Sequence, residues 1–329
     1  MEGSLELFLI RDPLLSRPIR SDIISILQYH PEFETLTGGS PLCTLLEKQP
    51  AVPLFHEACI YIPDRDELYI TSNLLKQTNE SEQIIIISHI TFRRNNAGDI
   101  VSRQFEKIKP GNFAMPNGGV NYRDNVLFCV QGDCGSTPGG IYYLEQGAAS
   151  ATALITNYHG RPFNSPNDVV VSNKDGGIWF TDPVYGFEQG FRPPPQLPSQ
   201  VYRFDPITGD IRVVADGFGR PNGICFSPDE SIMYITDTDW IHGNGEKINT
   251  RASTIYAFDI IFRSSSPFLT NRRVFAMADT GAPDGIKCDT SGNIYSGCGD
   301  GINVWNAGGV LIGKILVPGG VANFCFGRK

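Results

Sequence analysis

The 329-residue chain has no apolar run long enough to cross a bilayer and no block of lysine or arginine. The first absence excludes a membrane-spanning helix. The second, with a formal net charge of −8, excludes nucleic acid and anionic membrane surfaces as partners. Five histidines are present, none at ligand spacing, and the eight cysteines include no CxxC. A zinc knuckle or a dithiol redox motif is therefore not written here. There is no GxSxG elbow, no Ser-His-Asp set, no P-loop and no Rossmann turn; Gly243-Asn244-Gly245-Glu246-Lys247 resembles neither nucleotide motif. The N-terminus, MEGSLELFLIRDPLL, lacks the basic region of a secretory leader and carries acids at positions 2 and 6. A cytoplasmic protein is expected, with its cysteines as free and mostly buried thiols.

Glycine (35) and proline (23) are abundant, as in a chain made of turns. One pattern recurs through them. A polar residue opens a β-rich run, a turn follows, and an aromatic residue appears eleven or twelve positions after the opening: Glu57 with Tyr69, Asn117 with Phe128, Asn167 with Trp179, Asn222 with Tyr234, Asp284 with Tyr295. These heads stand 60, 50, 55 and 62 residues apart, a period that belongs to blades, solenoids or arrays. Third and fourth strand candidates follow in each copy, among them Ile84–His89, Ile211–Ala215 and Arg273–Met277. Four strands per repeat without a 3.6-residue period predict an all-β, six-bladed β-propeller over residues 51–329, with a metal on the central axis. The sixth head is Asn323, and the last blade is expected to be incomplete because the chain ends at Lys329. Residues 1–50 are expected to help close the ring, with Phe33–Leu36 pairing beside that blade.

Two long insertions, Gly186–Gln200 and Thr238–Arg251, occupy the same phase of the third and fourth repeats. They predict walls or a lid over a pocket. Tyr185, Trp240 and His242, with Asn117, are the expected substrate contacts.

At one mouth of a ring, Glu57, Asn167, Asn222 and Asp284 supply two carboxylates and two amide oxygens. Carboxylates so placed repel unless a cation or a proton lies between them. Oxygen-only donors suit a hard cation, with calcium first; magnesium, manganese or zinc are the alternatives. Asp284 or Glu57 is the expected general base.

The segments FHEACIYIPDRDELYITSN, NSPNDVVVSNKDGGIWFTDPVYG, RPNGICFSPDESIMYITDT and PDGIKCDTSGNIYSGCGDGINVW resemble the SMP-30/gluconolactonase/luciferin-regenerating-enzyme family, with fungal lactonohydrolases the most similar members. The resemblance covers about residues 52–327. It implies a six-bladed propeller with an axial divalent metal, commonly calcium, and hydrolysis of lactones. It carries the metal ligands onto Glu57, Asn167, Asn222 and Asp284, with Asp284 also as base, and a further axial contact onto Asn117. Lys287 stands where a second metal site of some relatives needs an acid, so no second metal is expected. A small-molecule lactone or related carbonyl compound is the expected partner, and a monomer or dimer the expected state. Two alternative readings stand beside lactone hydrolysis. One is another carbonyl reaction on a natural product, such as isomerisation, retro-aldol cleavage or ring opening. The other is a non-catalytic calcium-binding scaffold.

Overall fold

A computed structural model describes residues 24–38, 41, 52–76, 83–109 and 111–327. Its framework is a set of antiparallel meanders, each starting at one polar head. The first blade pairs Glu57–Ile62, Glu67–Thr71, Ile87–Arg94 and Ile100–Ile108 in that spatial order. The second runs through Pro116–Tyr122, Asn125–Val130, Gly140–Leu144 and Thr152–Ile155. The third uses Val169–Val171, Ile178–Asp182, Gln200–Phe204 and Ile211–Ala215. The fourth uses Pro221–Phe226, Ile232–Asp237, Thr254–Arg263 and Ser266–Met277. The fifth uses Ile286–Cys288, Ile294–Cys298, Gly301–Trp305 and Leu311–Leu316.

Apolar residues of adjoining blades make the core between them. Val126, Phe128 and Tyr142 of the second blade pack with Ile60, Tyr69 and Ile87 of the first. Phe180 and Tyr202 of the third pack with Leu127 and Ile141 of the second. Aromatic rings do much of this filling: Phe163 lies edge-on to both Phe180 and Tyr202, with centroids 5.1 Å away in each case. Such large buried faces are what hold adjacent blades together.

The described residues form five blades, not six, and this corrects the expected count. The sixth head exists, but the segment around it stands alone. Val321 N donates to Cys298 O at 3.0 Å and Ala322 O accepts from Gly285 N at 2.9 Å, so this segment docks on the fifth blade. No described strand pairs with its other edge, and a single segment cannot make a sheet.

A second correction concerns residues Phe33–Leu36. They lie in a helix, Pro31–Thr37, because Pro31 opens its first turn and the His30 ring accepts from Glu32 N. Phe33 is buried against Val304 and Ile312. The strand before the helix, Ser25–Gln28, pairs with Leu311–Leu316 and adds a fifth strand to the outside of the fifth blade. The rest of the expected closing segment, residues 1–23, 39–40 and 42–50, lies outside the described residues, as does the chain's end at 328–329.

Candidate active site

Each head stands where a blade's innermost strand begins. In the first, second and fourth blades the pairing register slips there, between Glu57 and Ile60, Pro116 and Gly119, and Pro221 and Ile224. A bulge at a strand entrance re-aims the side chain it carries. In the first blade the bulge forces Ala58 and Cys59 into the left-handed region, at φ 66° and 52°.

The heads are neighbours, linked round the axis by hydrogen bonds. Thr71 Oγ1 donates to Asn117 O at 3.0 Å, and Gly118 N to Asn167 O at 2.8 Å. Thr181 Oγ1 donates to Asn222 O at 2.7 Å, and Thr236 Oγ1 to Asp284 O at 2.9 Å. Gly285 N donates to Ala322 O, and Asn323 Nδ2 closes the circuit on Glu57 Oε2 at 2.8 Å. The glycine after a head permits this approach. A Cβ on Gly118 would lie 2.4 Å from Asn167 O, and one on Gly223 2.4 Å from Asp284 O.

The circuit leaves oxygens over. Asn117 Oδ1, Asn167 Oδ1, Asn222 Oδ1 and Asp284 Oδ1 are buried without a hydrogen-bond partner. Each such acceptor costs about 1–3 kcal/mol when left unsatisfied. Burial raises the pKa of Glu57, against lowering contributions from the Asn323 amide and the Lys287 ammonium. Asp284 is pushed well up, first by burial and then by the Glu57 charge. The two carboxyls are within hydrogen-bonding reach and share a proton when nothing else separates them. Asp168, next to Asn167, is pushed up to about 6 by burial, while Lys287 pulls the other way.

These residues fit a hard cation. Orphaned amide and carboxylate oxygens around two repelling acids are a calcium-type donor set. Among the described residues no group of three His, Cys, Asp or Glu is placed to hold a metal, so the axial donor set consists of two carboxylates and amide oxygens.

Of the heads, Asp284 and Asn323 line a cavity of about 750 Å³, together with His56, Trp240 and Lys247 among others; Glu57, Asn117, Asn167, Asn222 and Tyr185 are not in its lining. Tyr185 is buried beside Asp284, Asn222 and Thr238; burial, then the Asp284 charge, raises its phenol pKa, so it stays protonated. Trp240 forms part of the cavity wall, with Lys247 Nζ 5.1 Å from its ring centroid. His242 is not in the lining. Its Nε2 stands 3.7 Å from Asp239 Oδ1 and its Nδ1 3.7 Å from Glu246 Oε2, which hold it within its own loop. The two insertions are fastened together: Arg220 pairs with both Glu188 and Asp239, and Gly243 N donates to Glu188 Oε2 at 2.7 Å.

Three residues at the site were given no role at the axis from the sequence. His56 lines the cavity beside Glu57, and burial lowers its imidazole to about 4, which keeps it neutral. The Lys287 charge lowers the pKa of both Glu57 and Asp168. Asp168 accepts from Val169 N and Ile224 N. Its signal was in the sequence, as the one PND among the PNG and PDG heads.

The SMP-30/gluconolactonase/LRE-like family model matches residues 93–329. Lactonohydrolase oryL of Aspergillus oryzae is 30% identical, over 82% of this chain and 63% of the relative. The chain thus spans less than two thirds of that relative's length. The gluconolactonase of Zymomonas mobilis is 33% identical over 54% of this chain and 49% of the relative. The solved structure of a gluconolactonase from Xanthomonas campestris superposes with a TM-score of 0.69 at 26% identity, over 95% of this chain and 93% of that one. The propeller, its polar heads and these likenesses together mean that the chain belongs to the SMP-30/gluconolactonase/LRE-like family.

Proposed function

We propose that this protein is a calcium-dependent hydrolase that opens a lactone ring. The observation that carries the proposal is the ring of orphaned head oxygens, one of whose residues, Asp284, borders the cavity. Glu57, Asn167, Asn222 and Asp284 would hold the cation. Bound there, a divalent cation polarises a carbonyl and lowers the pKa of water.

The chain's own residues supply the rest. Asp284 borders the cavity, and its carboxylate accepts the proton of the attacking water. Glu57, fixed by Asn323 Nδ2, keeps its charge directed at the axis. The Tyr185 phenol, protonated and next to Asp284, donates a hydrogen bond to a substrate oxygen. The Asn117 amide oxygen, unpaired in the protein, accepts from a substrate hydroxyl. Trp240 gives the substrate an apolar wall.

The relatives' names, lactonohydrolase and gluconolactonase, support the same reaction class. The test is turnover of lactones by Glu57→Ala and Asp284→Ala, with calcium affinity measured in parallel. The proposal expects both variants to lose at least a hundredfold in kcat and to bind calcium weakly. Unchanged turnover in both would sink it.

A further inference from the structure

A second cavity, of about 510 Å³, is lined by residues of the first and second blades and of the third blade's insertion, and shares no lining residue with the first cavity. Its volume is within the roughly 300–1,000 Å³ range of pockets that bury small ligands. Its lining carries the apolar side chains of Ile84, Ile85, Ile108, Phe113, Met115 and Phe191 beside an almost equal share of polar surface. Phe113, Met115 and Phe191 are buried, and the isoleucines named are half-buried.

Three blades contribute to this cavity, and they are tied together across it. Gln83 Nε2 of the first blade's loop donates to Gln189 O of the third blade's insertion at 3.2 Å. Arg192 Nη1 of that insertion donates to Asp133 O of the second blade at 2.9 Å. Arg192 is itself buried and also donates to Asn164 O and Phe163 O. The walls are therefore braced rather than left to drift. Pro116 belongs to the lining, and the next residue is the head Asn117. Consecutive Cα atoms are about 3.8 Å apart, so the cavity wall is one residue from the axial ring.

We infer that this cavity is a specificity pocket for an apolar chain carried by the substrate, so that the preferred lactones bear an alkyl or aryl substituent rather than only hydroxyls. A ring held at the heads can direct a substituent past Asn117 and Pro116 into the Ile–Phe–Met lining. Among the polar lining groups, Gln83, Lys109, Asp133, Cys134 and Thr137, two are already engaged: Gln83 Nε2 by Gln189 O, and the Asp133 carboxylate by Gly135 N and Thr137 N. The inference rests on the proposed reaction only for the nature of the ring.

The experiment is a binding series independent of turnover. The probes are 2-alkylcyclopentanones from methyl to hexyl, neutral ketones that mimic a lactone ring and cannot be hydrolysed, titrated calorimetrically into the calcium-loaded protein. Each methylene entering an apolar pocket is worth about 0.8 kcal/mol at most, so Kd should fall two- to fourfold per added methylene. Ala114→Trp fills the cavity and Ile85→Asp charges it; each should flatten the series. If Ala114→Trp does not fold, Ile85→Asp decides. A Kd independent of chain length, or a slope that survives Ile85→Asp, overturns the inference. A steep series in a protein that turns over no lactone would keep the pocket and remove the lactonase reading.

Discussion

Replacing Asp284 by Asn should make the metal-free protein more stable and the calcium response disappear. Glu57 and Asp284 are within hydrogen-bonding reach; burial raises both carboxyls, and the Glu57 charge raises Asp284 further. Two full charges about 4 Å apart at an effective dielectric near 20 repel by about 4 kcal/mol. A shared proton removes part of this, so roughly 1–3 kcal/mol of strain remains for a neutral amide of the same shape to relieve. In a domain of this size each kcal/mol shifts the melting temperature by about 2–4 °C. The wild type should melt lower than Asp284→Asn in EDTA. With calcium at about 100 times its Kd, the wild type should gain about 2.7 kcal/mol and overtake the variant. Thermal melts of both proteins in EDTA and in calcium read this directly. A variant that melts below wild type in EDTA, or that gains as much from calcium, would refute the argument that these acids face each other across a cation site.

Three further outcomes follow from the same geometry. Thr236 Oγ1 accepts from Gly223 N at 2.7 Å while it donates to Asp284 O, so Thr236→Val strands two buried backbone groups; urea melts should show a loss of about 2 kcal/mol. Arg220→Met leaves Glu188 and Asp239 without their shared cation; about 3 kcal/mol should be lost, and limited proteolysis should cut first within residues 238–251. Burial pushes Asp182 up to about 7, although Asn164 N and Ser165 N donate to its carboxylate. The folded protein therefore holds a proton that the unfolded chain has lost, and this contribution to stability is present below about pH 4 and declines as pH rises to about 7. The difference in stability between wild type and Asp182→Asn, followed across that window, should change in this sense.

The heads were legible in the sequence because Asn-Gly, Asn-Asp and Asp-Gly recur in phase with an aromatic eleven or twelve residues on. Ile211–Ala215 was legible to the residue, since Asp210 and Gly217 bracket it. The first blade's third strand was not: within QIIIISHI no apolar period marks a start, and pairing sets it at Ile87–Arg94 rather than Ile84–His89. Phe33–Leu36 read as a closing strand, but Pro31 and the His30 cap decide locally for a helix. That the described residues form no sixth sheet depends on pairing at a distance, which no local pattern around Asn323 encodes. The threonine links were hidden for a related reason. Thr71, Thr181 and Thr236 look like ordinary strand residues until the next blade brings a head carbonyl to each.

The most direct test of the account is hydrolysis of a lactone panel, followed by proton release, with protein stripped by EDTA and then restored with calcium. The account predicts no turnover in EDTA and recovery of turnover at stoichiometric calcium. Turnover that is equal with and without calcium, or tight calcium binding with no turnover of any lactone, would contradict it.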